Sequence, residues 1–132
     1  MNAPSVMRVI GDEKEELEIT VPAALRHVRV LRLAAAGTLS LLDLDVDFVD
    51  DVRSAIGEAA ALALGEHGAP GSLRLRLTAN ERCVSVEVKG RFTRRPERAT
   101  AEDDLSRHIL GPLVDRYTVD LSSARVTFEK WR

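Results

Sequence analysis

The 132-residue sequence holds a single cysteine, Cys83, which excludes an intrachain disulfide and a four-cysteine zinc site. Aromatic residues are scarce as well: three Phe, one Tyr and one Trp leave Ala, Leu and Val to supply most of any core. Neither sign of charge is in excess. Nineteen basic and 21 acidic side chains give a formal net charge of −2, so the total predicts affinity for neither nucleic acid nor membrane. No apolar run approaches the ~20 residues of a bilayer span, and Met1–Glu16 has no apolar core of signal-peptide length, so the cytoplasm is the expected compartment. Internal repeats and low-complexity tracts are absent too.

What remains is an ordinary globular composition, 45% apolar and 30% charged. The length suits one domain of about 100–150 residues, which buries roughly two thirds of the surface its unfolded chain exposes. Residues 1–15 are small and polar, end in the charged cluster Gly11–Glu15, and are expected to be a flexible lead-in with a short extended piece at Val6–Ile10. Residues 16–132 are expected to form the domain.

Leu17-Glu18-Ile19-Thr20-Val21 alternates apolar and polar residues, as a half-buried strand does. Pro22 is expected to stop the ladder and open a helix. From Ala23 to Leu42, Leu25, Val28, Leu31 or Arg32, Ala35 and Leu39 recur at helical steps, with Arg26, Arg29 and Arg32 mostly off that stripe. Asp45 or Asp47 can cap a second helix from Val46 to Glu66, with Val49, Val52, Ile56, Ala59, Ala60 and Ala63 along one side. Gly65, Gly68, Pro70 and Gly71 end it.

Ser72–Ala79 and Cys83–Val88 alternate with period two around a turn, which predicts a hairpin. Lys89–Thr100 looks irregular and basic. Thr100 followed by Asp103 resembles a capping box before a third helix carrying Leu105, Ile109, Leu110, Leu113 and Val114, which Gly111-Pro112 should kink. Tyr117–Leu121 and Ala124–Lys130 predict a second hairpin around Ser122-Ser123. One-faced helices beside antiparallel-type strands imply an α+β fold, a two-layer α/β sandwich.

Three passages carry a resemblance: the strand and helix of residues 19–32, the helix-two segment Asp50–Ala59, and the helix-three segment Leu105–Asp115. Over about Leu17 to Trp131 the chain resembles the ATP-binding domain shared by histidine kinases, gyrase and the RsbW-type anti-sigma serine kinases, the GHKL group. That resemblance implies a histidine-kinase-like ATPase fold: a mixed, mostly antiparallel sheet with three helices on one face, here with a lid shortened to about Arg91–Ala101.

The departures bear on chemistry. The group's second helix carries a Glu that activates the attacking hydroxyl or water and, four residues on, an Asn that gives Mg²⁺ an oxygen. The Glu falls on Glu58, the Asn on Leu62, and a hydrocarbon cannot ligate a hard cation. The Asp-x-Gly-x-Gly motif that reads adenine is replaced by Glu87-Val88-Lys89-Gly90-Arg91-Phe92, with one glycine and a cation that offers no acceptor. No Gly-x-Gly occurs anywhere in the chain. No cofactor is therefore expected, ATP and Mg²⁺ belonging only to the alternative in which kinase activity survives.

Each candidate residue also has a plainer reading. Glu58 is the one retained catalytic position, relevant only to a surviving kinase; otherwise it is a helix carboxylate, solvated or paired with an Arg. Arg91, Arg94, Arg95 and Arg98 could receive a phosphate or an acidic partner, or simply form a solvated loop balanced by Glu97, Glu102, Asp103 and Asp104. His27, His67 and His108 lack metal-site spacing. Cys83 is expected to be a small core or rim residue, not a nucleophile. Asp43, Asp45, Asp47, Asp50 and Asp51 lack the glycine and terminal Glu of a calcium loop and are expected to be a charged helix entry.

The resemblance implies an anti-sigma factor that sequesters an alternative sigma factor of the general-stress or sporulation type. It would be released by a STAS-class anti-anti-sigma protein, act as a homodimer and use neither nucleic acid nor membrane directly; the departures at Leu62 and in the glycine motifs add the expectation that it hydrolyses no ATP. Arg26, Arg29 and Arg32 are the candidate partner contacts. The alternative is an ATP-dependent serine/threonine protein kinase acting on the STAS antagonist; a third reading is a sensing or scaffold module with the old cleft filled in.

Overall fold

The computed structural model describes residues 14–65, 70–94 and 100–132, the last segment from 103 with its side chains. Residues 1–13 of the expected lead-in, His67, Arg95, Glu97, Arg98 and the Thr100 cap lie outside the described residues or side chains, as does most of the expected lid.

Strand β1 (Glu15–Pro22) leads through a short 3-10 turn (Leu25–His27) into helix α1 (Val28–Leu39), and helix α2 (Val46–Leu64) follows. Strands β2 (Gly71–Ala79) and β3 (Cys83–Phe92) form the first hairpin. Helix α3 (Thr100–Leu113) precedes the second hairpin, β4 (Arg116–Asp120) and β5 (Arg125–Trp131). The sheet order is β1-β2-β3-β5-β4, and each of the four described pairings is antiparallel. The expected two-layer α+β sandwich is therefore the fold observed, its described sheet antiparallel throughout.

Register explains the layering. Because side chains alternate across a strand, the pairs Ile19–Leu75, Leu75–Val88 and Val88–Val126 line one face. Leu73, Leu77, Val84, Val86 and Phe128 join them, and this face is buried under α1 and α2. Helix α3 packs on α2. Among the described residues the core contains no buried polar or charged side chain. The opposite sheet face is bare and charged: Glu18 pairs with Arg76 (3.1 Å), and Glu87 accepts from both Arg74 (3.3 Å) and Arg125 (2.6 Å).

Several local expectations shift. Pro22 does not open a helix; it ends β1 opposite Ser72, a position that an edge strand tolerates because no ladder N–H is needed. Ala24 stays extended, and Leu25, expected on the buried stripe, is exposed in the 3-10 turn. Asp45 is the N-cap of α2, yet neither it nor Asp47 makes a side-chain cap bond; Asp47 contributes only negative charge to the first turn. Gly65 ends α2 with φ of 75°, a conformation that glycine adopts without penalty.

Strand β3 continues past Val88 to Phe92, through residues expected to be irregular. The Gly90 N–H donates to the Ala124 carbonyl (2.8 Å), and Phe92 pairs with Gly71, where any Cβ would collide with the Arg91 backbone. Leu105 and Ile109 of α3 face solvent, whereas Leu110 is fully buried, because α3 has one helical neighbour to cover it and not a sheet. Gly111 and Pro112, expected to kink α3, sit in its final turn.

Candidate functional site

Helix α2 carries Glu58 and Leu62, the two positions that the resemblance singled out. Asp51 and Glu58, seven residues apart, share one stripe of the helix. Asp51 meets Lys130 of β5 (3.4 Å), whose Nζ also donates to the Leu113 carbonyl at the end of α3 (2.8 Å) and stands 5.4 Å from the centre of the Phe48 ring. Glu58 is half-buried on that stripe and has no hydrogen bond or ion pair with a described residue, so of its two plain readings the arrangement fits the solvated carboxylate and not the Arg pair.

Leu62 is fully buried and belongs to the apolar core with Ala59, Ala60 and Ala63. The position is thus filled by packed hydrocarbon. On the sheet, Gly90 lies in an ordinary extended ladder. The Phe92 ring folds over Gly90 into the space a Cβ would take there and packs on the core. The sequence suggested that Lys89 stands near an adenine-reading position. Pairing with Arg74 and Arg125 places it instead on the bare face of the sheet, away from the helices.

The three candidate arginines separate. Arg26, in the 3-10 turn, and Arg29 are exposed, and beside them Val30 and Leu33 (57% accessible) stand out from α1. Arg32 turns the other way, across to α2. Its Cδ and Nη1 pass 3.7 Å from where a Gly57 side chain would begin, and it shares a cavity with Asp50, Arg53 and Ser54. The structure brings Arg32 to Arg53, not to Glu58.

The five aspartates are also dispersed. Asp43 accepts from Arg132 through its carbonyl, Asp50 pairs with Arg53 (3.4 Å), and Asp51 pairs with Lys130. No group of three or more His, Cys, Asp or Glu among the described residues could hold a metal ion. Burial pushes the Cys83 thiol above its ordinary pKa, outweighing the Ser85 contact, and nearby Glu129 and Asp115 add to the rise. Cys83 is therefore a rim residue with a suppressed thiolate, as its place in the sequence suggested. Asp120 is held below the usual carboxylate range, chiefly by the hydroxyls of Ser122 and Ser123 within its own turn.

Two features were missed from the sequence. One is the Arg32–Arg53 cavity. The other is a concavity of about 260 Å³ on the bare sheet face, lined by residues of β2 to β5 that include Arg76, Ser85, Glu87 and Arg116. The alternating polar positions of those strands were its only signal in the sequence. Among the described residues no helix is long and apolar enough to cross a membrane.

No protein-family model matches the chain, and no curated protein matches it. In three dimensions it is similar to the crystal structure of the RsbU and RsbW domains of Rv1364c from Mycobacterium tuberculosis, with a TM-score of 0.64 and 20% identity. The likeness covers 87% of this chain and 31% of that one, so the chain spans under a third of its neighbour's length. At that identity the shared property is the fold: the two-layer sandwich expected from the sequence is present in a chain that includes an RsbW domain.

Proposed function

We propose that the chain is an RsbW-type binding regulator: an anti-sigma factor that sequesters an alternative sigma factor and is released by a STAS-class antagonist without hydrolysing ATP. The observation that carries this reading is the burial of Leu62 in the apolar core of a fold shared with a chain that includes an RsbW domain. Sequestration needs a folded surface and no nucleotide, so it survives loss of the metal-ligand position. In this reading the protein works in the cytoplasm as a homodimer, and the outward side of α1 supplies the contact. Arg26 and Arg29 beside exposed Val30 and Leu33 offer cationic and apolar groups together, a mixture that suits an acidic, amphipathic partner helix.

The kinase reading rests on Glu58, half-buried and without a described partner, as a base for a serine hydroxyl. One pair of measurements separates the two. Calorimetry with Mg-ATP should give no heat and no shift of the melting temperature. Size-exclusion chromatography with sigma factors and STAS proteins from the native host should give a co-eluting complex that Arg29→Glu with Leu33→Asp abolishes. Saturable Mg-ATP binding would favour the kinase; a chain that captures neither class of protein would refute the regulator.

A further inference from the structure

We propose that Arg32, Arg53 and Ser54 form a binding site for an oxyanion of the phosphate class in the cleft between α1 and α2. Two guanidinium groups from different helices line one surface cavity of about 340 Å³ together with Asp50 and Ser54. The Nε atoms of both arginines are buried and have no hydrogen-bond acceptor. Arg32 makes no hydrogen bond or ion pair with any described residue, and among the described residues Arg53 pairs only with Asp50, through a single 3.4 Å contact at a largely exposed carboxylate. The Ser54 hydroxyl likewise has no described partner. Two guanidinium groups against one carboxylate leave the cavity with a net positive charge, and the two buried Nε–H donors are open to an anion.

The local sequence accommodates this arrangement. Gly57, one turn past Arg53, leaves the surface of α2 bare where the Arg32 stem crosses it. A Cβ there would only touch the stem at ordinary contact distance, whereas a side chain longer than alanine's would crowd it. The donor set also selects the anion. One guanidinium fork satisfies the two oxygens of a carboxylate, whereas a phosphate offers three or more acceptor oxygens and close to two negative charges, matching two forks and a hydroxyl. Asp50 competes for Arg53, so the site is tuned below its full strength. The cavity exceeds the size of a bare ion, leaving room for the group that carries the phosphate. The site is independent of the RsbW-type reading, since it uses the α1 side of α2 and neither Glu58 nor Leu62.

The test is an NMR titration of the arginine Nε–H signals with inorganic phosphate, with a phosphoserine peptide, and with chloride at matched ionic strength. Phosphate should move the Arg32 and Arg53 signals to saturation. Arg32→Gln and Arg53→Gln should each weaken binding about tenfold, as loss of one charge-assisted partner does, and Asp50→Asn should tighten it. If Arg32→Gln fails to fold, Arg53→Gln and Asp50→Asn, at side chains 42% and 58% exposed, carry the test. Tighter binding of the peptide than of phosphate assigns the site to a phosphorylated protein; equal affinity assigns it to the free ion. Shifts that chloride reproduces without saturation, or phosphate affinity unchanged in Arg53→Gln, would overturn the proposal.

Discussion

Replacing Leu62 by Asn installs the residue type that the GHKL resemblance places at this position, and the structure predicts that it damages the protein. Leu62 is fully buried among Ala59, Ala60 and Ala63 and the sheet side chains. Removing a buried leucine side chain loses about 2–3 kcal/mol of burial, and an amide placed there without partners adds roughly 1–3 kcal/mol of desolvation. The expected loss is therefore about 3–6 kcal/mol, a large part of the ~5–15 kcal/mol that holds a domain together. Leu62→Ala is the control for the cavity alone, and the difference between the variants isolates the buried amide. Urea denaturation with and without Mg-ATP reads both effects. A Leu62→Asn protein within about 1 kcal/mol of the parent that Mg-ATP also stabilises would mean that the position opens onto a working cleft, and would refute the reasoning.

Lys130→Met should cost about 2 kcal/mol, because it keeps the apolar stem but removes the charge-assisted bond to the Leu113 carbonyl from a side chain only 15% accessible; a thermal melt should fall by roughly 6–10 °C. The Asp51 contact, half open to water, adds little to that figure. Cys83 should alkylate more slowly in the folded than in the urea-unfolded chain at the same alkaline pH, as its thiol is raised by burial. The linked stability has a definite sign: the folded state disfavours the thiolate, so its contribution is intact below the unfolded thiol pKa and declines as pH rises past it. Gly37→Ala should stabilise by about 0.5–1 kcal/mol in a denaturant titration, since a Cβ in this helix meets no atom within 4 Å.

Most of the fold was legible because burial imposes a period. Helix α2 has sheet or helix over much of its circumference, so Val52, Ile56, Ala59, Ala60 and Ala63 announce it correctly. Where a pattern has two causes it misled. Pro22 suits a helix start and also the end of an edge strand, and only pairing with Ser72 decides. The run Lys89-Gly90-Arg91-Phe92 hides a strand because its inward residues are a glycine and a phenylalanine that folds over it. Leu105 and Ile109 have the right spacing for a buried stripe, but spacing does not report whether anything covers it. At the site, the loss of an oxygen donor at Leu62 was plain from residue type. The meeting of Arg32 with Arg53 was not, because it depends on how α1 lies across α2 and on the bare backbone at Gly57.

The distribution of polarity connects these points to function. A cleft that holds a nucleotide inside a two-layer fold must keep polar groups at the inner boundary, where each costs about 1–3 kcal/mol unless a ligand or partner satisfies it. Here Leu62 and Phe92 pack into or against the apolar layer, and no polar side chain is buried in the described core. Among the described residues the buried side-chain nitrogens without a partner belong to Arg32 and Arg53 between the helices, Arg74 on the bare sheet face and His27 just before α1. Donors in those places do nothing for a nucleotide in the interior, but they are within reach of an anion or a second protein. Polar groups that still lack a partner therefore lie where an external ligand can reach them, between the helices and on the sheet face.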